Sequence, residues 1–183
     1  MRINLGSGDT RYDSFLNIDN DPDCNPDFCI DIENQSWPID DNSVEQVIAH
    51  HIFEHLGEGF FHVMKELYRV CKNGAQIDVI VPHPRHETFL ADPTHRRPIV
   101  PMTFQLFSKK FNDACRLYNE PASRLGHRYD VDFELVEFHE IPDDRYLRTF
   151  DNVELETAKV YINEHNNIVL NIHIKLVVIK HGR

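Results

Sequence analysis

The chain has 183 residues, of which 41% are hydrophobic and 27% are charged, and its formal net charge is −11. This length predicts one domain, spanning residues 1–183, with a sizeable core. No apolar run approaches the roughly 18 residues that cross a bilayer, and no basic-then-apolar segment opens the sequence, so we expect neither a membrane span nor export. The four cysteines form no Cys-x-x-Cys pair, which favours reduced thiols in the cytoplasm.

Charge is unevenly distributed along the chain. Residues 9–45 hold eleven acidic residues and one basic residue, a local net charge of −10, whereas residues 83–128 hold eight basic and four acidic residues, a local net charge of +4. The overall acidity disfavours binding to a nucleic-acid backbone. The basic segment permits an anionic substrate, although solvated charged faces would give the same composition.

The first two predicted strands surround the most informative motif. Arg2–Leu5 leads into a turn that contains Gly6 and Gly8, and Asp19 ends a second short strand eleven residues after Gly8. Glycine permits positive φ and a close approach of the backbone to a ligand, and an acid at the next strand end can accept hydrogen bonds from ribose hydroxyls. The pattern therefore predicts a nucleoside-containing cofactor at the strand ends of an α/β sheet.

Hydrophobic periodicity predicts the remaining elements. Apolar runs or alternation indicate seven strands: Arg2–Leu5, Phe15–Asp19, Phe28–Asp31, Ser43–His50, Gln76–Val81, Val131–His139 and Ile168–Lys180. Helical spacing or composition indicates three helices: Gly59–Lys72, Thr103–Leu117 and a short one over Asn152–Val160. Residues 83–101 are rich in proline and are expected to be a loop. Two late strands without a full crossover helix predict an antiparallel edge on a parallel sheet.

The order of these elements resembles the class I S-adenosylmethionine-dependent methyltransferases, in particular the small type-11-like branch with a very short first crossover. Six segments match motifs of that family in order and spacing: Ile3–Gly8, Ser14–Asp19, Trp37–Glu45, Glu54–Leu56, Leu67–Ala75 and Asp92–Arg97. The resemblance is dense over residues 3–107 and loose beyond. It implies a Rossmann-like, doubly wound, mostly parallel sheet with an antiparallel C-terminal strand, and S-adenosyl-L-methionine as the cofactor.

The resemblance also implies roles for individual residues. Gly6 and Gly8 would line the methionine part of the cofactor, and Asp19 would bind the ribose hydroxyls. Asp31 would meet the adenine amino group. Two further cofactor contacts are implied: Ile32 against the adenine ring and His50 at the end of the fourth strand.

The chain departs from the family pattern at several positions. Ser14 stands where the family has glycine before the second strand, and Glu45 replaces the usual aspartate of the fourth strand. Asn4 is usual in this branch, although many class I enzymes have an acid there. The sequence also has no helix before its first strand, so either another part of the protein closes the cofactor pocket or the cofactor site is open.

The loop after the fifth predicted strand contains the candidate residues for the methyl acceptor. Methyl transfer mainly requires alignment, and a base is needed only when the acceptor must lose a proton. His95 is the candidate base, because the pKa of histidine is near neutral; alternatively, Asp92 and His95 bind each other and fix the loop. His86, Arg96 and Arg97 are candidate substrate-binding residues, and paired hydrogen bonds from arginine suit an anion.

The acceptor is expected to be a small molecule or a carbohydrate rather than nucleic acid. An uncovered N-terminal edge and a long last strand would suit a homodimer. The main alternative to an enzyme is a degenerate methyltransferase fold that acts as a binding or regulatory module without catalysis.

Other cofactors are disfavoured. His51–His55 matches the His-x-x-Glu-His pattern of a zinc peptidase class. That pattern requires a helix, however, and here it directly follows a predicted strand, and Gly57 and Gly59 would interrupt any helix, so the sequence predicts no metal site. A nicotinamide cofactor is disfavoured because a third glycine and a full crossover helix are missing.

Overall fold

A computed structural model describes residues 1–151 and 153–180. Seven strands form one sheet: β1 Arg2–Leu5, β2 Leu16–Asp19, β3 Phe28–Cys29, β4 Val44–His50, β5 Cys71–Pro82, β6 Phe133–Pro142 and β7 Val169–Val178. The helices are α1 Phe60–Val70, α2 Glu87–Ala91, α3 Pro101–Gln105, α4 Lys109–Leu117, α5 Leu125–Tyr129 and α6 Leu155–Glu164. The expected domain 1–183 also includes Asn152 and residues 181–183, which lie outside the described residues.

The strand order is β3-β2-β1-β4-β5-β7-β6, with β1 to β5 parallel and β7 antiparallel to both β5 and β6. This confirms the predicted doubly wound order and the antiparallel C-terminal edge. The order reverses between β1 and β4, and ligands of open α/β sheets bind outside the carboxyl ends of the strands at such a reversal.

The two faces of the sheet differ in burial. On one face, side chains such as Val47, Val79 and Ile174 are completely buried beneath the helices. On the other face, Asp78 and His173 are only partly buried. Residues 6–15, all of them described, contain no helix between β1 and β2. The short crossover therefore leaves the second face polar and partly open.

Helix α1 covers the buried face and ends earlier than predicted. Phe60, Val63, Met64 and Leu67 lie on its apolar stripe and are buried. The sequence predicts that Lys72 lies in its last turn, but the chain is extended from Cys71, which pairs with Val44 of β4. Val44 and Gln46 face Cys71 and Gln76, so residues 72–75 form an irregular segment of β5, in which Gly74 adopts a φ of +80°.

The predicted helix Thr103–Leu117 is wrong as a single element. It is two helices, α3 and α4, separated at Leu106–Ser108. Ser108 begins the second helix because its hydroxyl accepts a hydrogen bond from the amide of Phe111 at 3.2 Å. A serine at this position satisfies one of the free amides of a helix start, which favours a new helix over a continuous one.

The other differences are at boundaries. The predicted loop at residues 83–101 contains α2, and the third strand ends at Cys29 rather than at Asp31. The predicted helix Asn152–Val160 corresponds to α6, while Asn152 itself lies outside the described residues. Among residues 1–151 and 153–180, no helix combines the length and apolar character needed to cross a membrane.

Candidate functional site

A cavity of about 750 Å³ opens at the carboxyl ends of the parallel strands. Its lining includes Gly6, Asp19, Asp31 and Ile32, which come from the ends of β1, β2 and β3 and the turn after β3. A volume of this size is typical of small-molecule and cofactor pockets. Four of the six predicted cofactor residues therefore lie together around one cavity.

Gly6 has a position that no other residue could take without strain. Its φ is +66°, and a Cβ added there would lie 2.7 Å from the Cδ1 of Ile52. The amides of Gly6 and Ser7 both donate to the carbonyl of Ile18, at 2.9 and 3.0 Å. The turn is thus held against β2 on one side and against Ile52 on the other, which brings its backbone to the cavity wall.

Asp19 connects the glycine turn to the end of β2. Its Oδ2 accepts from the amide of Gly8 at 2.7 Å, and its Oδ1 accepts from the amide of Asp21 at 3.0 Å. Each carboxylate oxygen has a second lone pair that remains available to a ligand. Gly8 does not line the cavity; it contributes by orienting Asp19.

Asp31 lies in a turn in which its carboxylate is surrounded by donors. The side-chain amide of Asn34 donates to Oδ2 at 2.8 Å, and the backbone amide of Glu33 donates to Oδ1 at 2.9 Å. These hydrogen bonds, with Asn34 contributing most, lower the pKa of Asp31 below its ordinary value. The carboxylate therefore stays charged, as an acceptor for an amino group requires.

Glu33 belongs to the same wall and was not predicted from the sequence. Its Oε2 accepts from the amides of Gly57 and Gly59, at 2.8 and 2.9 Å. It thereby joins the turn after β3 to the segment that enters α1. In the sequence, only Gly57 and Gly59 indicate this contact. Glycine is required at position 59 because a Cβ there would lie 2.3 Å from the Cβ of Glu33.

His50 does not line the cavity. It belongs to what we call the sheet cluster, which consists of His50, Asp78 and His173 on the partly open face. Nε2 of His50 lies 2.8 Å from Oδ1 of Asp78, and Nε2 of His173 lies 2.9 Å from Oδ2 of the same carboxylate. The predicted cofactor contact of His50 is thus replaced by a contact within the sheet.

His95 lies in the loop between α2 and α3, between Thr94 and Arg96, which both line the cavity. Its Nδ1 is 2.8 Å from the carbonyl oxygen of Phe89, its ring stacks on Phe89, and it meets the His55 ring edge-on at a centroid distance of 4.7 Å. His55 itself lines the cavity. Nε2 of His95 is 3.8 Å from Oδ2 of Asp92, so the expected contact between these two residues is long.

The three predicted substrate-binding residues are placed differently. Arg96 lines the cavity beside Gly57. Arg97 instead donates to the carbonyl of Gly57 at 3.0 Å and lies over the ring of Phe60, which makes it a packing residue. His86 is 1% exposed and its Nε2 is 3.1 Å from Oδ2 of Asp143, away from the cavity. Burial and this contact leave no imidazole nitrogen facing a substrate in the cavity.

No family model and no curated protein matches the chain. Several solved structures, however, match it. A SAM-dependent methyltransferase from Archaeoglobus fulgidus aligns over 96% of this chain and 85% of its own, with a TM-score of 0.62 and 19% identity. The fold is that of the class I S-adenosylmethionine-dependent methyltransferases.

Two further structures show the breadth of this methyltransferase fold. A SAM-dependent methyltransferase from Methanosarcina mazei covers 98% of this chain and 92% of its own, with a TM-score of 0.56 and 12% identity. The [4+2]-cyclase SpnF covers 98% of this chain and 75% of its own, with a TM-score of 0.52 and 14% identity. At these identities the likeness concerns the fold, and it does not identify a substrate.

Proposed function

We propose that the protein is a class I methyltransferase that binds S-adenosylmethionine in the cavity and transfers its methyl group to a small or carbohydrate-like acceptor. The observation that carries the proposal is the meeting of Gly6, Asp19, Asp31 and Ile32 around one cavity of about 750 Å³. We also propose that residues 1–183 form one domain and that the protein resides in the cytoplasm, since its four cysteines are free.

The chemistry of the cavity wall suits this cofactor. Four acidic residues line it, Asp19, Asp31, Glu33 and Glu58. A wall with this charge favours a cationic sulfonium and repels the two phosphates of a dinucleotide. Ile18, Ile30 and Ile32 line the same cavity and offer apolar surface to a purine ring.

In this proposal the residues act mainly by positioning. Asp19 would hold the ribose hydroxyls, Asp31 the adenine amino group and Ile32 the adenine ring, while the Gly6 turn would lie along the methionine part. The cofactor supplies a methyl group on a positively charged sulfur. Arg96 and the loop of His95 border the space left for an acceptor, and alignment of two reactants is worth roughly 7–11 kcal/mol of the barrier.

Calorimetry with S-adenosylhomocysteine tests the proposal. We expect one site per chain, and we expect Asp19→Ala to weaken binding by about 1–3 kcal/mol through the lost hydrogen bond to the ribose. Asp21→Ala is the matched control, because Asp21 follows the same strand but does not line the cavity. No binding to the wild-type chain at high micromolar concentration would refute the proposal, and equal affinities in the two variants would mean that Asp19 is misassigned.

The SpnF likeness supports a second candidate. Because that neighbour is a cyclase, the fold also carries chemistry other than methyl transfer. Binding of S-adenosylhomocysteine without methyl transfer to any of a broad panel of hydroxyl, amine and thiol acceptors would favour a non-methylating role or a binding module.

A further inference from the structure

Three side chains beside the cavity form what we call the entrance cluster: Glu54, His55 and His95, of which His55 lines the cavity. Glu54 and His55 lie in the single turn of 3-10 helix at Phe53–His55, and His95 lies forty residues later along the chain. One carboxylate oxygen and one ring nitrogen from each histidine lie within 4.8 Å of one another. The backbone holds the two segments together, since the amides of Arg96 and Arg97 both donate to the carbonyl of Glu54.

The carboxylate of Glu54 is buried and only partly satisfied. Glu54 is 1% exposed, and its Oε1 lies 3.3 Å from Nδ1 of His51. Within residues 1–151 and 153–180, no side chain or backbone group donates a hydrogen bond to Oε2. A buried polar atom without a partner is costly, and more so when it carries charge. A cation beside Oε2 would remove that cost.

The two histidines are held so that each presents a lone pair. Nδ1 of His95 is 2.8 Å from the Phe89 carbonyl oxygen, which only accepts, so Nδ1 carries the proton. Nδ1 of His55 is 2.9 Å from Oγ1 of Thr94, and this hydroxyl donates its own proton to Asp92 at 2.6 Å. Nδ1 of His55 therefore also carries a proton. In both neutral rings Nε2 keeps its lone pair, which is how outer hydrogen bonds orient histidine ligands of metals.

We propose that Glu54, His55 and His95 bind one divalent transition-metal ion. Two imidazoles and one carboxylate are a common ligand set for zinc and its neighbours, and three protein ligands leave a coordination position for a substrate or water. That position is next to the cavity, because His55 and Thr94 both line it. Asp92 orients His55 through Thr94, and its Oδ2 also lies 3.8 Å from Nε2 of His95.

The site extends the proposed function and rests on it for its chemical role. An ion at the entrance would bind an oxygen of the acceptor and lower the pKa of its hydroxyl. The hydroxyl proton leaves to solvent, the oxygen lone pair forms the bond to the methyl carbon, and the carbon–sulfur bond breaks with its electron pair on sulfur. The acceptor class is therefore a hydroxyl compound, and the products are a methyl ether and S-adenosylhomocysteine.

Titration of the metal-free protein with Co²⁺ alone tests the site. We expect one ion per chain, visible absorption bands of a low-coordinate Co²⁺ complex, and loss of these bands when Zn²⁺ is added. His55→Ala and His95→Ala should each weaken binding about 100-fold or more, and Thr94→Val about 10–100-fold, as expected for an orienting partner. His139→Ala is the control, since that exposed histidine lies on β6, away from the cavity.

Each outcome of this titration bears on the proposal. Absence of stoichiometric binding, or binding that His55→Ala and His95→Ala leave unchanged, refutes the site. Far-ultraviolet circular dichroism and a cooperative thermal transition identify variants that have failed to fold. If a histidine variant fails to fold, the Co²⁺ affinity of Glu54→Gln, which keeps the shape of the side chain, decides instead: an unchanged affinity refutes the site. The readout does not involve methyl transfer, so the site and the proposed function can fail independently.

Discussion

The sheet cluster and the entrance cluster use similar side chains and differ in what is left unsatisfied. In the sheet cluster, Asp78 receives one histidine on each oxygen, at 2.8 and 2.9 Å. In the entrance cluster, Glu54 is more deeply buried, and its Oε2 has no donor in the described part of the chain. Residue types alone do not separate a structural cluster from a binding site. The two clusters are distinguished by an unsatisfied hydrogen-bond acceptor beside a cavity, which the entrance cluster has among the described residues.

The pKa of Asp78 is consistent with a structural role. Burial tends to raise this pKa, but the hydrogen bonds from His50 and His173 outweigh burial, and the pKa lies below its ordinary value. The folded state thus stabilises the charged carboxylate. Both carboxylate oxygens of Asp78 are therefore hydrogen-bonded within the protein, and the sheet cluster needs no ligand to satisfy them.

The largest expected effect is on the sheet cluster. Asp78→Asn should lower the free energy of unfolding by about 2 kcal/mol, because it removes the charge from two hydrogen bonds that are each worth about 1.5–3 kcal/mol. Urea unfolding measured without metal checks this. The isosteric Glu54→Gln serves as the comparison. If Glu54→Gln lowered the free energy of unfolding more than Asp78→Asn does, the entrance cluster would be the structural one and the sheet cluster would not.

A smaller effect is expected from pH. A carboxyl whose pKa is lowered on folding contributes stability above its unfolded pKa, near 4, and loses it as the pH falls through the folded value. The stability difference between the wild-type chain and Asp78→Asn should therefore decline as the pH falls below about 4. The charged and titratable groups around Asp78 are His50, His173 and Lys175. A difference that grew as the pH fell below about 4 would contradict this assignment.

The smallest effect, with the opposite sign, is expected at Glu54. In the metal-free protein, Glu54→Gln should leave the free energy of unfolding unchanged or raise it by up to about 1 kcal/mol, because Oε2 of the buried Glu54 side chain has no hydrogen-bond partner among the described residues. The same variant should lose the stabilisation that Co²⁺ gives to the wild-type chain. Equal stabilisation of both chains by Co²⁺ would place the ion elsewhere.

The fold could be predicted from the sequence because its signals are local. Alternation along Ile168–Lys180 and the apolar stripe of Gly59–Lys72 identified β7 and α1 to within a few residues. The misplaced boundaries depend on distant partners. Cys71 is extended because it pairs with Val44, and no local pattern indicates this.

The candidate site was predictable where the motif is contiguous with a strand end. Gly6, Asp19 and Asp31 line or border the cavity for that reason, whereas His50 and His86 found partners, Asp78 and Asp143, that are distant in sequence. The entrance cluster was missed because the sequence directs attention to His51 as the partner of Glu54 and His55. The third member is His95, which only the folded chain brings near.

The contact between Gly6 and Ile52 has a thermodynamic consequence. Ile52 touches the glycine turn on one side and directly precedes the turn that carries Glu54 and His55 on the other. A ligand that fixes the Gly6 turn therefore also fixes the residues at the entrance. We expect occupancy of the cavity and occupancy of the entrance to be linked, and such linkage is reciprocal: each ligand changes the affinity of the other by the same factor.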